Sequence, residues 1–179
     1  MNILYITLKK RFLYTLIASL IFVLTYYIGS IAPLSEEYSS ILRKEFKNII
    51  QNIDYLSIFL NNFRITLGMF IPGVGAAIGL YAAYNTGLVY QSFAQTSSQL
   101  ASIPSLLILL TPFGILEIFS YGLAISQSII LLKAIINKKL DKTLLYSTLI
   151  QVGMVTLILF IAAIIEYYMI KELGGISIT

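Results

Sequence analysis

A chain of 179 residues that is 58% hydrophobic, with a mean hydropathy of +0.88, carries more apolar surface than a water-soluble fold of this size can bury, so the bilayer must take it. Only 11% of residues are charged and the net charge is +4, too small and scattered for a nucleic-acid partner but of the scale that orients membrane loops. With no Cys and no His, disulfides, thiolate and imidazole metal sites, thiol nucleophiles and histidine acid–base pairs are excluded; no cofactor is implied, and an enzyme acting alone is not expected.

The basic run Lys9, Lys10 and Arg11 precedes an uncharged stretch, 12–32, that matches the roughly 20 residues a helix needs to cross hydrocarbon. Ser30 and Ala32 have the small-x-small form of a signal-peptide cleavage site, but the apolar run is long for that role, so a retained first crossing is expected. Pro33 stops the helix. From Ser35, an N-cap followed by Glu36 and Glu37, apolar residues recur at helical spacing (Tyr38, Ile41, Leu42, Phe46, Ile49, Ile50, Ile53, Leu56), predicting an amphipathic helix over 35–57. With Arg43, Lys44, Lys47, Asn48, Gln51 and Asn52 on its polar face, the helix either lies in the membrane interface, docks on the transmembrane bundle, or is a solvated connection.

After the polar residues Asn61, Asn62 and Arg64, the uncharged run 65–83 predicts a second crossing, kinked or broken at Pro72 and Gly73. Gly75, Gly79, Ala83 and Gly87 fall at four-residue intervals on one stripe, a packing face for another helix within the chain or in another copy. The glycines do not have dinucleotide-fingerprint spacing and follow no strand. Residues 86–111 read as a broken, partly polar segment, with Gln91, Gln95, Thr96, Ser97, Ser98 and Gln99 ahead of an apolar stretch. Thr111 as N-cap and Pro112 in the first turn open a crossing over 112–133; a basic loop with Lys138, Lys139 and Lys142 follows, then a last crossing over 143–165 with Glu166, Lys171 and Glu172 at its exit.

The expected fold class is therefore all-α: one integral membrane domain, a polytopic bundle of four to five membrane segments with a re-entrant element and one interfacial helix. Five segments with the N-terminus inside put Lys9–Arg11 and Lys133–Lys142 on one cytoplasmic side; four segments separate them, although an N-outside arrangement then holds more total positive charge inside. Tyr26, Tyr27, Tyr167 and Tyr168 lie near crossing ends, as aromatic belts do.

Several of these elements together resemble the stage II sporulation protein M family of small polytopic membrane proteins: Asn61, Asn62 and Arg64, the glycine-rich crossing through Gly75 and Gly79, the Asn85-Thr86-Gly87 turn, and Pro112-Phe113-Gly114-Ile115-Leu116-Glu117. The last resembles that family's Pro-His-Gly-x-x-Glu signature, with Phe113 where histidine is usual, which removes any proton-relay or metal role of that histidine. The resemblance covers about residues 55–135. It implies a membrane component that works with other proteins in envelope processes; at the level of fold the chain is also similar to membrane subunits of ATP-driven exporters.

Glu117 is the residue singled out, because an ionisable group among apolar neighbours at membrane depth is expensive and marks a functional position. It either joins a polar cluster with Arg64, Asn62 and Asn85, or sits near the headgroups, or is simply protonated. Asp54 and Asp141 are the only aspartates and lie outside the spans, so an aspartyl dyad has no support; the chain has no Walker-type run. Pro72, Pro112 and Gly114 complete the positions where helices break or pack.

These features predict a non-catalytic, multi-pass subunit of the cell membrane. It assembles with itself through the small-residue stripe, as a homodimer or larger homo-oligomer, and with other membrane or envelope proteins in the lipid bilayer. The alternative is a permease or channel half lined by 86–111 and driven by a separate ATPase subunit.

Overall fold

In the computed structural model, which describes residues 8–50 and 53–172, the apolar runs form helices. Among the described residues these are α1 Leu8–Ser30, α2 Glu36–Ile50, α3 Tyr55–Met69, α4 Val74–Ala94, α5 Ser98–Ala101, α6 Ser105–Leu109, α7 Pro112–Ile136 and α8 Lys142–Glu172. Three of them, α1, α7 and α8, are long and apolar enough to cross a membrane. At 1.5 Å per residue the 31 residues of α8 extend about 46 Å, so its charged ends, Lys142 and Glu172, reach beyond a hydrocarbon layer about 30 Å thick.

Capping signals act where the sequence places two of them. The Tyr38 amide donates to the Ser35 hydroxyl (3.3 Å) at the start of α2, and the Gly114 amide donates to the Thr111 hydroxyl (3.2 Å) at the start of α7, with Pro112 filling the first turn. A third signal redraws the expected amphipathic helix over 35–57. The Ser57 amide donates to the Asp54 carboxylate (2.7 Å) while the Asp54 amide donates to the Ser57 hydroxyl (3.0 Å), a reciprocal capping box that starts a new helix at Tyr55. The bonds from the Ser57 amide and hydroxyl hold the Asp54 carboxyl below its ordinary pKa.

The expected single crossing over 65–83 is likewise two helices. Residues 70–73 turn the chain back on itself, with Gly73 at φ 77°, a left-handed backbone that a side chain resists, and Pro72 unable to extend α3. Instead of kinking one helix, the Pro-Gly pair separates α3 from α4. The expected broken segment over 86–111 then begins late: α4 continues to Ala94, and only 95–111 is irregular, carrying the short α5 and α6.

Pairs of contacting residues fix the helix directions. Thr15 meets Ser126 and Ser19 meets the Ile118 carbonyl, so α1 and α7 are antiparallel; Gln127 meets Thr148 and Gln151, so α7 and α8 are too. Asn62 meets Glu117 and the Ile71 carbonyl meets Ser128, so α3 runs with α7, and Gly75 and Gly79 against Ser128 and Ile125 set α4 against it. Five helices thus alternate along the bundle. Arg11, the 70–73 turn and the α7–α8 turn share one end, where Arg11 Nη1 donates to the Ser147 hydroxyl and Lys133 sits 5.9 Å from the Tyr14 ring centre. Helix α2, the α5–α6 arm and the end of α8 occupy the other.

Helix α7 is the axis: Ser120 through Ser128 are all buried, as expected for a helix surrounded by others. Phe22 and Tyr121 rings stand 5.1 Å apart, and Met69, Val155 and Leu159 close the core from α3 and α8. The outside is inverted relative to a water-soluble protein. Tyr146, Leu149, Ile150 and Leu157 of α8 are each about two-thirds exposed on one apolar face. Because lipid tails are as apolar as these side chains, the bundle is held by close packing and interhelical hydrogen bonds more than by removal from water.

The small-residue stripe on α4 supplies that close packing internally. Gly75, Gly79, Ala83 and Gly87 are all buried. A Cβ at Gly75 would overlap the Met69 carbonyl, at Gly79 the Ile125 side chain, and at Gly87 the Tyr26 carbonyl. The stripe is therefore occupied by α1, α3 and α7 of the same chain and is not a surface for a second copy.

Candidate functional site

Glu117 lies on the second turn of α7, half-buried, at the end of the bundle opposite the basic turns. The Asn62 side-chain amide, from α3, donates to its Oε1 at 2.6 Å. Tyr121, one turn further along α7, and Glu166, near the end of α8, face the same carboxylate. Three helices thus converge on one acidic group, and a carboxyl, an amide, a phenol and a second carboxyl form a polar cluster between them. Such a cluster ties α3, α7 and α8 together.

Glu166 was expected at the exit of the last crossing, but α8 runs on to Glu172. Its inward position follows from spacing: Val155, Leu159, Ala162 and Ala163 are buried, and Glu166 continues that stripe one turn on. Arg64 and Asn85 do not join the cluster. Arg64 is two residues from Asn62 on α3, which puts it on a different face of the helix, and it is exposed; Asn85 Nδ2 donates to the Tyr81 carbonyl of its own helix at 2.8 Å. Of the break positions, Gly114 packs against the Leu109 carbonyl and the Thr111 hydroxyl, which lets α6 fold directly onto the start of α7.

A second polar group, deeper in the bundle, was not singled out from the sequence. Gln127 is 1% exposed; its amide donates to the Thr148 hydroxyl (2.8 Å) and its carbonyl accepts from Gln151 (3.1 Å), and Gln151 also reaches Ser147, which accepts from Arg11. The ladder joins α1, α7 and α8 near the basic end. Its signal in the sequence was the pair of glutamines inside two spans otherwise free of amides. Tyr26, expected in an aromatic belt, is instead buried, with its hydroxyl donating to the Ser105 carbonyl at 3.2 Å. An aromatic cluster forms where Tyr55, Phe59, Phe160 and Tyr167 pack edge to face between α3 and α8.

At the end away from the basic turns, the C-terminal ends of α1 and α4 and the α5–α6 arm border an open cavity of about 570 Å³. Ser30 and Ser105 hydroxyls, 2.8 Å apart, close its floor. Among the described residues no three His, Cys, Asp or Glu side chains lie close enough to hold a metal ion together.

A family model described as Stage II sporulation protein M matches residues 14–169, most of the chain, and the chain belongs to that family. The match extends well beyond the residues on which the sequence resemblance rests. No curated protein and no solved structure matches the chain.

Proposed function

We propose that this chain is a non-catalytic, multi-pass subunit of the cell membrane that acts by assembling with other membrane or envelope proteins. Helices α1, α7 and α8 cross by themselves; α3, which at 15 residues is shorter than the hydrocarbon, completes its pass with the 70–73 turn, and α4 returns beside it; the N-terminus is cytoplasmic, α2 lies along the far interface and the α5–α6 arm dips back from it. What supports this topology is the alternation of the five helices and the collection of Lys10, Arg11, Lys133, Lys138, Lys139 and Lys142 toward one end, as the positive-inside rule requires.

Arg64 is the observation that carries the assembly reading. It is exposed on the outer side of α3, between the turns at that helix's two ends, and among the described residues the one ion pair is Arg43–Glu36. A guanidinium at membrane depth with no acidic partner among the described residues is expensive unless it snorkels or meets an acceptor on another subunit. By contrast Glu117, Gln127 and Ser128 find their partners internally, so their role is to brace the bundle.

Gentle purification from the native membrane, with mass spectrometry of whatever stays bound, tests this. The expected result is a co-purifying membrane or envelope protein that is lost with Arg64→Leu and kept with Arg64→Lys. A chain that emerges alone, or a partner indifferent to Arg64, would contradict the proposal. An associated ATPase together with solute flux would replace it with the permease reading.

A further inference from the structure

The cavity between α1, α4 and the α5–α6 arm has the features of a built site. Its walls are clamped by side chains that have other partners: the Tyr90 hydroxyl donates to the Ile103 carbonyl (2.6 Å), with the Leu100 carbonyl 3.2 Å away as a second acceptor for the same proton, and Gln95 accepts from Ser39 (2.6 Å) while donating to the Leu34 carbonyl (3.3 Å). The shape is thus held in the absence of any occupant, which spares a ligand the cost of ordering it. Two polar groups on the wall are left over. The Gln91 amide and the Tyr27 hydroxyl line the cavity without a hydrogen bond among the described residues; Gln91 is half-buried and Tyr27 is 42% exposed, so both are open to an incoming group.

The chemistry of the lining is equally specific. No charged residue contributes to it, so a phosphate or carboxylate group would enter without a counter-charge. Amide, phenol and hydroxyl groups, able to donate and accept, match neutral hydroxyls. The rim is apolar and open: Ile31 is 58% exposed, with Leu106 and Ile103 beside it at 39% and 38%. The cavity sits at the end of the first span, which closes at Ser30, and so at headgroup level, with acyl chains passing naturally over the rim.

We propose that this cavity binds the neutral polyhydroxyl head of a lipid, a sugar or glycerol head, through Gln91 and Tyr27, with the acyl chains lying along Ile31 and Leu106. The site does not depend on the assembly role argued above.

The test uses the full chain in a polyoxyethylene detergent, which brings no sugar of its own, and native mass spectrometry with three probes: monoglucosyl-diacylglycerol, phosphatidylglycerol and methyl glucoside. The glucolipid is expected to stay bound at concentrations about tenfold below either of the others. Loss of one hydrogen bond in Gln91→Leu should weaken its retention up to about tenfold. Ala94→Leu, which fills the cavity without removing any polar group, should weaken it as well, while both variants keep the wild-type thermal unfolding. Equal retention of phosphatidylglycerol would overturn the neutral-head assignment, and retention of methyl glucoside at the glucolipid's level would overturn the lipid assignment. Unchanged binding in both variants would overturn the site.

Discussion

Replacing Gly87 with alanine probes a close backbone contact between α4 and α1. A Cβ there would overlap the Tyr26 carbonyl and fall 2.6 Å from the Ser30 amide nitrogen and 2.9 Å from the Gly29 carbonyl carbon. All three are backbone atoms of α1, so no rotamer change relieves the clash and the two helices must part along their shared face. Overpacking of this kind destabilises by about 1–3 kcal/mol, and the immobile surroundings place Gly87 toward the top of that range. Alanine's helix propensity returns about 1 kcal/mol, leaving a net loss of about 2 kcal/mol. Gly153→Ala is the matched control, since nothing lies within 4 Å of a Cβ there and α8 is exposed at that point. Unfolding in mixed micelles by SDS titration, followed by far-UV circular dichroism, should show Gly87→Ala losing stability while Gly153→Ala holds or gains. If the two variants behaved alike, α1 and α4 would not be in the contact described.

A double-mutant cycle on Asn62→Leu and Glu117→Leu should give a coupling of about 1 kcal/mol, within the range measured for interhelical hydrogen bonds in membranes; additive losses would mean that the 2.6 Å contact contributes nothing. The Asp54 cap should impose a pH dependence on the first turn of α3. Its carboxyl has a lowered pKa in the folded chain, so its stabilisation is complete above the ordinary aspartate pKa and fades as pH falls through the lower folded value. Amide exchange at Ser57 should quicken only in that acid window, and Asp54→Asn should abolish the dependence while keeping a cap.

What the sequence made legible was whatever a short-range signal announces. Pro33 follows the end of α1, Ser35 opens α2, and Thr111 with Pro112 opens α7, because each of these residues acts within one turn of its own position, whereas α1 begins ahead of Arg11 and takes in the basic run. The α3–α4 reversal was hidden because an apolar, uncharged run looks the same whether the helix continues or turns back inside a membrane. Pro72-Gly73 fits both, and only the packing of Gly75 on the Met69 carbonyl distinguishes them. Asp54-x-x-Ser57 was a readable cap obscured by the apolar periodicity that continues through Ile53 and Leu56. In the candidate site, Glu117 stood out by isolation and Asn62 by proximity to a span, but choosing Asn62 over Arg64 required knowing which face of α3 meets α7. Glu166 was masked by its neighbours Lys171 and Glu172, which do belong to an exposed helix end.

The most direct test of the account is a map of which side each turn faces. The chain has no native cysteine, so single substitutions give unambiguous labels. Lys10→Cys, Ile71→Cys and Asn137→Cys mark the basic end, and Ser35→Cys, Asn48→Cys and Gln99→Cys the other; all six positions are exposed. With a membrane-impermeant maleimide on intact cells, the second set should label and the first only after permeabilisation. Labelling that separates Lys10 from Asn137, or puts Ile71 with Ser35, would contradict five alternating crossings and the assembly surface built on them.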